Sequence, residues 1–209
     1  MIGLKNVYKS YDGRNVLSDF SIEFETNRVT AILGGSGVGK TTILRLLSGL
    51  TAADSGEVYG ARPVSFVFQE DRLAPHLTVN QNLELVLGKG DYSTALDGIG
   101  LSGRGNDYPK NLSGGMARRL SFLRACLFPS DLMLLDEPFK GLDLKLKYEI
   151  MDVFLKLWNE RPRTAVLVTH DPEEAAYVAS RAVVISDGGA IVADVVSPDA
   201  EMLRTELLK

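Results

Sequence analysis

The chain has 209 residues, 45% of them apolar, enough to bury the core of one globular domain. A formal net charge of -4 argues against a protein that grips nucleic acid through a general basic face. There is no run of about 18 or more apolar residues to span a membrane and no apolar stretch of a secretory signal at the N-terminus, and one cysteine, Cys126, cannot form an internal disulfide, which fits a reducing compartment.

In chain order, Phe20, Ile22 and Phe24 are separated by polar residues, a period of two that predicts a strand with one buried face. Val29–Leu33 is an almost unbroken apolar run, as expected of a strand covered on both sides, and Leu132–Leu135 and Ala165–Val168 read the same way. Ile43, Leu44, Leu46 and Leu47 line a helix after the first of these. From Gln69 to Ser130 the rhythm breaks, with helices predicted over Val79–Leu87, Ser93–Ile99 and Gly114–Phe128 joined by polar, Gly-rich loops. Leu144, Tyr148, Met151, Leu155 and Trp158 recur at helical spacing and predict an amphipathic helix. The tail predicts two short strands around Asp187-Gly188-Gly189 and a terminal helix. Strands alternating with helices imply an α/β fold with a mainly parallel sheet, an N-terminal antiparallel β part and an inserted helical subdomain. The expected division is a single domain over 1–209, with its core at 1–68 and 131–209 and the insertion at 69–130. Cys126 sits among Leu123, Ala125, Leu127 and Phe128 and reads as a small core residue. His76 reads as a surface or partner-facing residue.

Gly34-Gly35-Ser36-Gly37-Val38-Gly39-Lys40-Thr41 fits the pattern G-x-x-x-x-G-K-[ST], with a buried strand before it and a helix after it. Glycines let successive N–H groups converge on phosphate oxygens, and the helix N-terminus adds its dipole. Lys40 is expected to reach the β- and γ-phosphates of ATP, and Thr41 to hold Mg²⁺, with Thr42 beside it. Leu132–Leu135 leads into Asp136-Glu137-Pro138, two adjacent carboxylates that would repel each other without a cation. Asp136 is expected to bind Mg²⁺ and Glu137 to orient and deprotonate a water. His170 ends another buried strand, on the side of the sheet where such sites gather. Ser113 is a good N-cap for the helix that starts at Gly114 and Gly115, which makes a second anion cradle. One triphosphate does not need two cradles, unless the second closes over a nucleotide held by another subunit.

With Leu112-Ser113-Gly114-Gly115-Met116 in place, the sequence closely resembles the ATP-binding subunits of ABC transporters over essentially its whole length. The resemblance implies a P-loop NTPase core and assigns roles in order. Tyr11 matches the aromatic that stacks on adenine, and Gly34–Thr41 the Walker A loop. Gln69 matches the glutamine that contacts Mg²⁺ and senses the membrane partner. Ser113, Gly114 and Gly115 match the signature motif, Leu132–Glu137 the Walker B strand with its catalytic glutamate, Asp143 the loop that crosses the dimer, and His170 the switch histidine. Met116 stands where glutamine is commoner. Phe139-Lys140-Gly141 replaces the more usual Phe-Ser-Ala, which bears on communication across the dimer. The stretch Gln69–Val79, with Tyr108–Met116, is most similar to the importer branch that serves nitrate, sulfonate, taurine and related small solutes.

The resemblance implies a hydrolase that binds ATP and Mg²⁺ and pairs with a second copy of itself, with Ser113 and Gly115 of one chain covering ATP on the other. It also implies transmembrane permease subunits, an extracytoplasmic solute-binding protein, no nucleic acid, and a peripheral position on the cytoplasmic face of the membrane. An exporter or lipoprotein-release ATPase, or a non-transport ATPase of the same superfamily acting on nucleic acid or ribosomes, is the alternative.

Overall fold

The structure, a computed structural model, describes residues 1–60 and 63–208. Strands β1 (Ile2–Tyr11) and β2 (Arg14–Phe24) form an antiparallel hairpin. Asp12 and Gly13 turn it with φ of 50° and 79°, the left-handed pair that a tight two-residue turn demands. The chain then forms β3 (Val29–Leu33) and helix α1 (Lys40–Ser48) before β4 (Ser55–Tyr59) returns to pair antiparallel with β1. Phe20, Ile22 and Phe24 are all buried, as their alternation predicts.

The second sheet has six strands. They are β5 (Val64–Val67), β6 (Leu132–Asp136), β7 (Thr164–Val168), β3, β8 (Arg181–Ile185) and β9 (Ile191–Val196), in the order β5-β6-β7-β3-β8-β9. All neighbours run parallel except β9, which is antiparallel to β8. Every residue of β3, β6 and β7 is buried, so their nearly unbroken apolar runs reflect two covered faces. Alternate residues feed two cores. Leu33, Met133, Leu135 and Leu167 pack on one face with Phe122 and Phe154. Ile32, Leu134, Val166 and Val168 pack on the other with Ile43, Leu44, Phe20 and Phe24.

Between β5 and β6 the described residues are helical and irregular only: α2 (Val79–Leu87), α3 (Ser93–Gly98), a 3₁₀ turn at Pro109–Asn111 and α4 (Gly114–Leu127). After β6 come α5 (Leu144–Glu160), α6 (Pro172–Val178) and α7 (Ala200–Leu207). The helix α5 forms where its period predicts, but its buried face is Ile150, Met151 and Phe154. Tyr148, Leu155 and Trp158 are half-buried, and Leu144 is 67% exposed because the first turn, with Leu144 and Lys145, faces solvent. Cys126 is buried and free, and burial pushes its thiol up to about 12. None of the described helices is long and apolar enough to cross a membrane.

The later part of the loop that leads from β5 into α2 is held by Asn82. Asn82 is fully buried, and its Oδ1 accepts from the Ala74 N–H at 2.8 Å. Its Nδ2 faces the carbonyls of Ala74, Leu77 and Thr78 at 3.0 to 3.1 Å. Thr78 and Gln81 close a reciprocal cap on α2. Asn82→Ala strands these groups without water, so urea unfolding is expected to register a loss of about 2 to 3 kcal/mol; a variant as stable as the parent would contradict this account of the loop.

Candidate functional site

The parallel register brings three loops to one edge of the sheet. Ile32 of β3 and Asp136 of β6 both pair with Val168 of β7, so the chain leaves all three strands at the same level. The Glu137 N–H donates to the Val168 carbonyl at 2.9 Å, and the Thr169 N–H donates to the Ile32 carbonyl at 3.2 Å. The first loop is Gly34–Gly39. Gly34 has a φ of 152°, and a Cβ there would lie 2.3 Å from the Ile185 carbonyl oxygen. Gly39, with a φ of 106°, caps α1, and a Cβ there would meet Leu17 at 3.0 Å and Val16 at 3.1 Å. Only glycine suits both places.

The residues around this edge line a cleft of about 360 Å³. One wall is Val16, Ser36, Gly37, Gly39, Lys40, Thr41 and Thr42, and the other is Gln69, Asp136, Glu137, Lys140 and Val168. Lys40 Nζ donates to the carbonyls of Gly34 at 2.8 Å and Gly35 at 2.6 Å, so it folds back over the loop. Burial pushes its ammonium below the usual lysine range, opposed by Glu137 and Asp136. Thr41 Oγ1 donates to Asp136 Oδ1 at 3.1 Å. Burial holds the Asp136 carboxyl above its usual range against the Thr41 hydrogen bond, and the Glu137 charge adds to the shift.

Glu137 stands in the left-handed region with a φ of 46°, a conformation that costs a non-glycine residue about 1 to 3 kcal/mol. Its Oε2 accepts from Lys140 Nζ at 2.5 Å, and His170 Nδ1 lies 3.4 Å from its Oε1. Burial alone would raise the Glu137 carboxyl, but Lys140 and His170 outweigh it and hold it below the usual range. Phe139, fully buried against Phe122 at 6.0 Å between ring centroids, anchors the loop that carries Glu137 and Lys140. A buried network steadies the His170 loop. Lys147 Nζ lies 2.7 Å from Asp171 Oδ2 and 2.8 Å from Glu174 Oε1, and Thr169 Oγ1 donates to Glu174 Oε2 at 2.5 Å.

Five predicted groups stand outside the lining of this cleft, among them His170, which is exposed and reaches it only beside Glu137. Tyr11 is 40% exposed at the hairpin end, with Lys9 Nζ 5.2 Å from its ring centre. Ser113 caps α4 by accepting the Met116 N–H at 3.3 Å and, with Gly114, faces solvent; Gly115 is half-buried. Asp143 caps α5 by accepting the Leu146 N–H at 3.1 Å. Gly34, Gly35 and Val38 border a different hollow with Ile185 and Leu207. Sequence reasoning did not anticipate Val16 or Lys140 in the lining. Lys140 carried a signal, as a charged residue three places after the carboxylate pair, but a loop position does not reveal where a lysine points.

The family model described as ABC transporter matches residues 17–140. Aliphatic sulfonates import ATP-binding protein SsuB 3 of Nocardia farcinica is 36% identical over 99% of this chain and 89% of its own length. SsuB 1 of Paracoccus denitrificans is 37% identical over the whole of this chain and 92% of its own length. The sulfate/thiosulfate import ATP-binding protein CysA of Halalkalibacterium halodurans is 37% identical over 95% of this chain, which spans 62% of that relative. Among solved structures, a dimeric ATP-binding cassette in a post-hydrolysis state with ADP and Pi superposes with a TM-score of 0.83 at 28% identity, covering 94% of this chain and 99% of that one.

Gly34→Ala tests the first loop. The new methyl collides with backbone at Ile185 rather than with a movable side chain, so a loss of stability of about 2 kcal/mol is expected. Titration with a fluorescent nucleotide should show binding abolished; retained binding would mean that the loop does not need this conformation.

Proposed function

The chain belongs to the ABC transporter family, and from that premise we propose that it is the ATP-hydrolysing subunit of an importer, working as a dimer beneath a separate permease. The observation that carries the reading is the cleft itself, which Lys40, Thr41, Asp136, Glu137 and Gln69 line together. The unit comprises a core of residues 1–68 and 131–209 with a helical insertion at 69–130, a division supported by the order of the elements.

In this reading ATP lies along Gly34–Thr42 with Tyr11 against the adenine. The N–H groups of Gly35 to Thr42 cradle the phosphates, aided by the positive end of α1. Lys40, whose Nζ lies against the Gly34 and Gly35 carbonyls, reaches the β- and γ-phosphates. The groups suit Mg²⁺. Thr41 Oγ1, Asp136 and Gln69 are hard oxygen donors, and burial leaves Asp136 short of a positive charge. When bound, Mg²⁺ supplies charge neutralisation across the phosphate oxygens.

Glu137 takes a proton from the attacking water, and His170, 3.4 Å away, fixes that water and the γ-phosphate. Ser113, Gly114 and Gly115 are solvent-facing or half-buried at the start of α4 and do not line their own cleft, which supports their covering ATP on a second copy. Asp143 lies in the loop that would cross that interface. Closure excludes bulk water and aligns the nucleophile; hydrolysis reopens the pair.

The permease would dock on a groove between sheet and insertion. Phe66 and Phe68 stack there at 4.2 Å, Arg72 lies 3.7 Å from the Phe68 ring centre, and Val86 and Phe128 line the groove beside them. That surface adjoins Gln69, which links it to the γ-phosphate. The importer reading draws on relatives named for sulfonate and sulfate/thiosulfate import, and brings with it a cytoplasmic-face location and an extracytoplasmic solute-binding protein.

Two variants test the chemistry. Glu137→Gln should lower turnover by about 10²- to 10³-fold while keeping ATP affinity, and should trap an ATP-dependent dimer on size-exclusion chromatography; near-normal turnover would remove Glu137 from its role. Thr41→Ala should weaken binding of MgATP and spare binding of ATP in a chelator, and equal losses in both would contradict a role for Thr41 in holding the metal.

A further inference from the structure

Arg118 lies on α4, five positions beyond the cap Ser113, so about 7.5 Å further along the helix. Its guanidinium does not face solvent; the side chain is 12% exposed. It donates through Nη1 to the Gln69 carbonyl, through Nη2 to the Glu137 carbonyl at 2.5 Å, and through Nε to the Pro138 carbonyl at 3.4 Å. These carbonyls belong to two loops that leave two neighbouring strands, β5 and β6. Asp71 Oδ1, buried without a hydrogen bond, stands 3.9 Å from Nη1 and supplies the balancing charge. A guanidinium is the one side chain with donors enough, in a rigid fork, to hold three acceptors at once.

The acceptors matter because of what their residues do. Gln69 and Glu137 both line the nucleotide cleft. The Glu137 peptide, in its left-handed conformation, is held at its N–H by Val168 and at its carbonyl by Arg118. Arg124, also on α4, donates to the Arg72 carbonyl at 2.9 Å three residues beyond Gln69, and Phe122 packs on Phe139; neither touches the Gln69 or Glu137 peptide. Arg118 does not line the cleft and has no direct call on the nucleotide.

We infer that Arg118 is a positioning residue that ties the helix headed by Ser113 to the Gln69 and Glu137 loops of its own chain, so that seating Ser113 on a partner's nucleotide sets the catalytic geometry of the other site. The inference rests on the dimer reading above. One rigid helix then touches two nucleotides, directly at its N-terminus and through Arg118 five residues later. Coupling of this kind is reciprocal, so ATP in either site favours the competent form of both.

The test compares the full-length chain with Arg118→Ala and Arg118→Lys, and includes Glu137→Gln as a control for dimer formation. Wild type should hydrolyse ATP with a Hill coefficient above unity. Arg118→Ala should bind MgADP with unchanged affinity, lose about 10²-fold in kcat through misplacement of Glu137, and show a Hill coefficient of unity. Arg118→Lys keeps the charge but not the fork and should recover only part of kcat. A purely structural role would lower the melting temperature without splitting kcat from nucleotide affinity. Wild-type kcat and cooperativity in Arg118→Ala, with Glu137→Gln still dimerising, would overturn the role of Arg118 and leave the dimer intact. A Glu137→Gln chain that stays monomeric in ATP would overturn the dimer and this coupling with it. If Arg118→Ala does not fold, Arg118→Lys decides: wild-type kcat and cooperativity there overturn the inference, and a partial kcat with reduced cooperativity upholds it.

Discussion

The site depends on the register of three parallel strands. Because Ile32 and Asp136 both stand opposite Val168, the glycine loop, the carboxylate pair and His170 emerge side by side although more than a hundred residues separate the first from the last. Slipping any of these strands by one residue would send its buried side chains to the wrong core and carry its loop out of the cleft. Both cores resist such a slip, since β3, β6 and β7 are buried on both faces. Packing and chemistry are therefore fixed by the same pairing.

Within that frame, polar and charged contacts hold the cleft together. Lys40 is satisfied by the loop carbonyls, Asp136 by Thr41, and Glu137 by Lys140 and His170. Binding exchanges one set of polar contacts for another without leaving a buried charge bare, which would cost far more. The strain stored at Glu137 is sustained by the hydrogen bonds at either end of its peptide.

Much of this was legible in the sequence, for physical reasons that also mark where legibility stopped. Nearly unbroken apolar runs located β3, β6 and β7 because burial on two faces leaves little room for polar residues. The glycine loop was readable because its backbone conformations exclude side chains. The strand β1 was harder, since bulges around Asn6, with a φ of 48°, break its alternation. The edge strand β4, mostly exposed, has no apolar face to read. Periodicity predicted α5 but not how far its packed face extends, which left Leu144 in solvent. Lys140 and Arg118 escaped because the direction of a long charged side chain depends on acceptors brought from distant parts of the chain. Arg118 finds its acceptors 49 and 19 residues away.

The account makes each cleft half of a site, completed by Ser113–Gly115 of a second copy. Its most direct measurement is specific ATPase activity against protein concentration at saturating MgATP. A chain that acts only as a dimer should lose specific activity steadily on dilution, in step with loss of the dimer. Full specific activity at concentrations where only monomer is present would contradict the composite site and leave the loop from Gly34 to Thr41 as a complete site in itself.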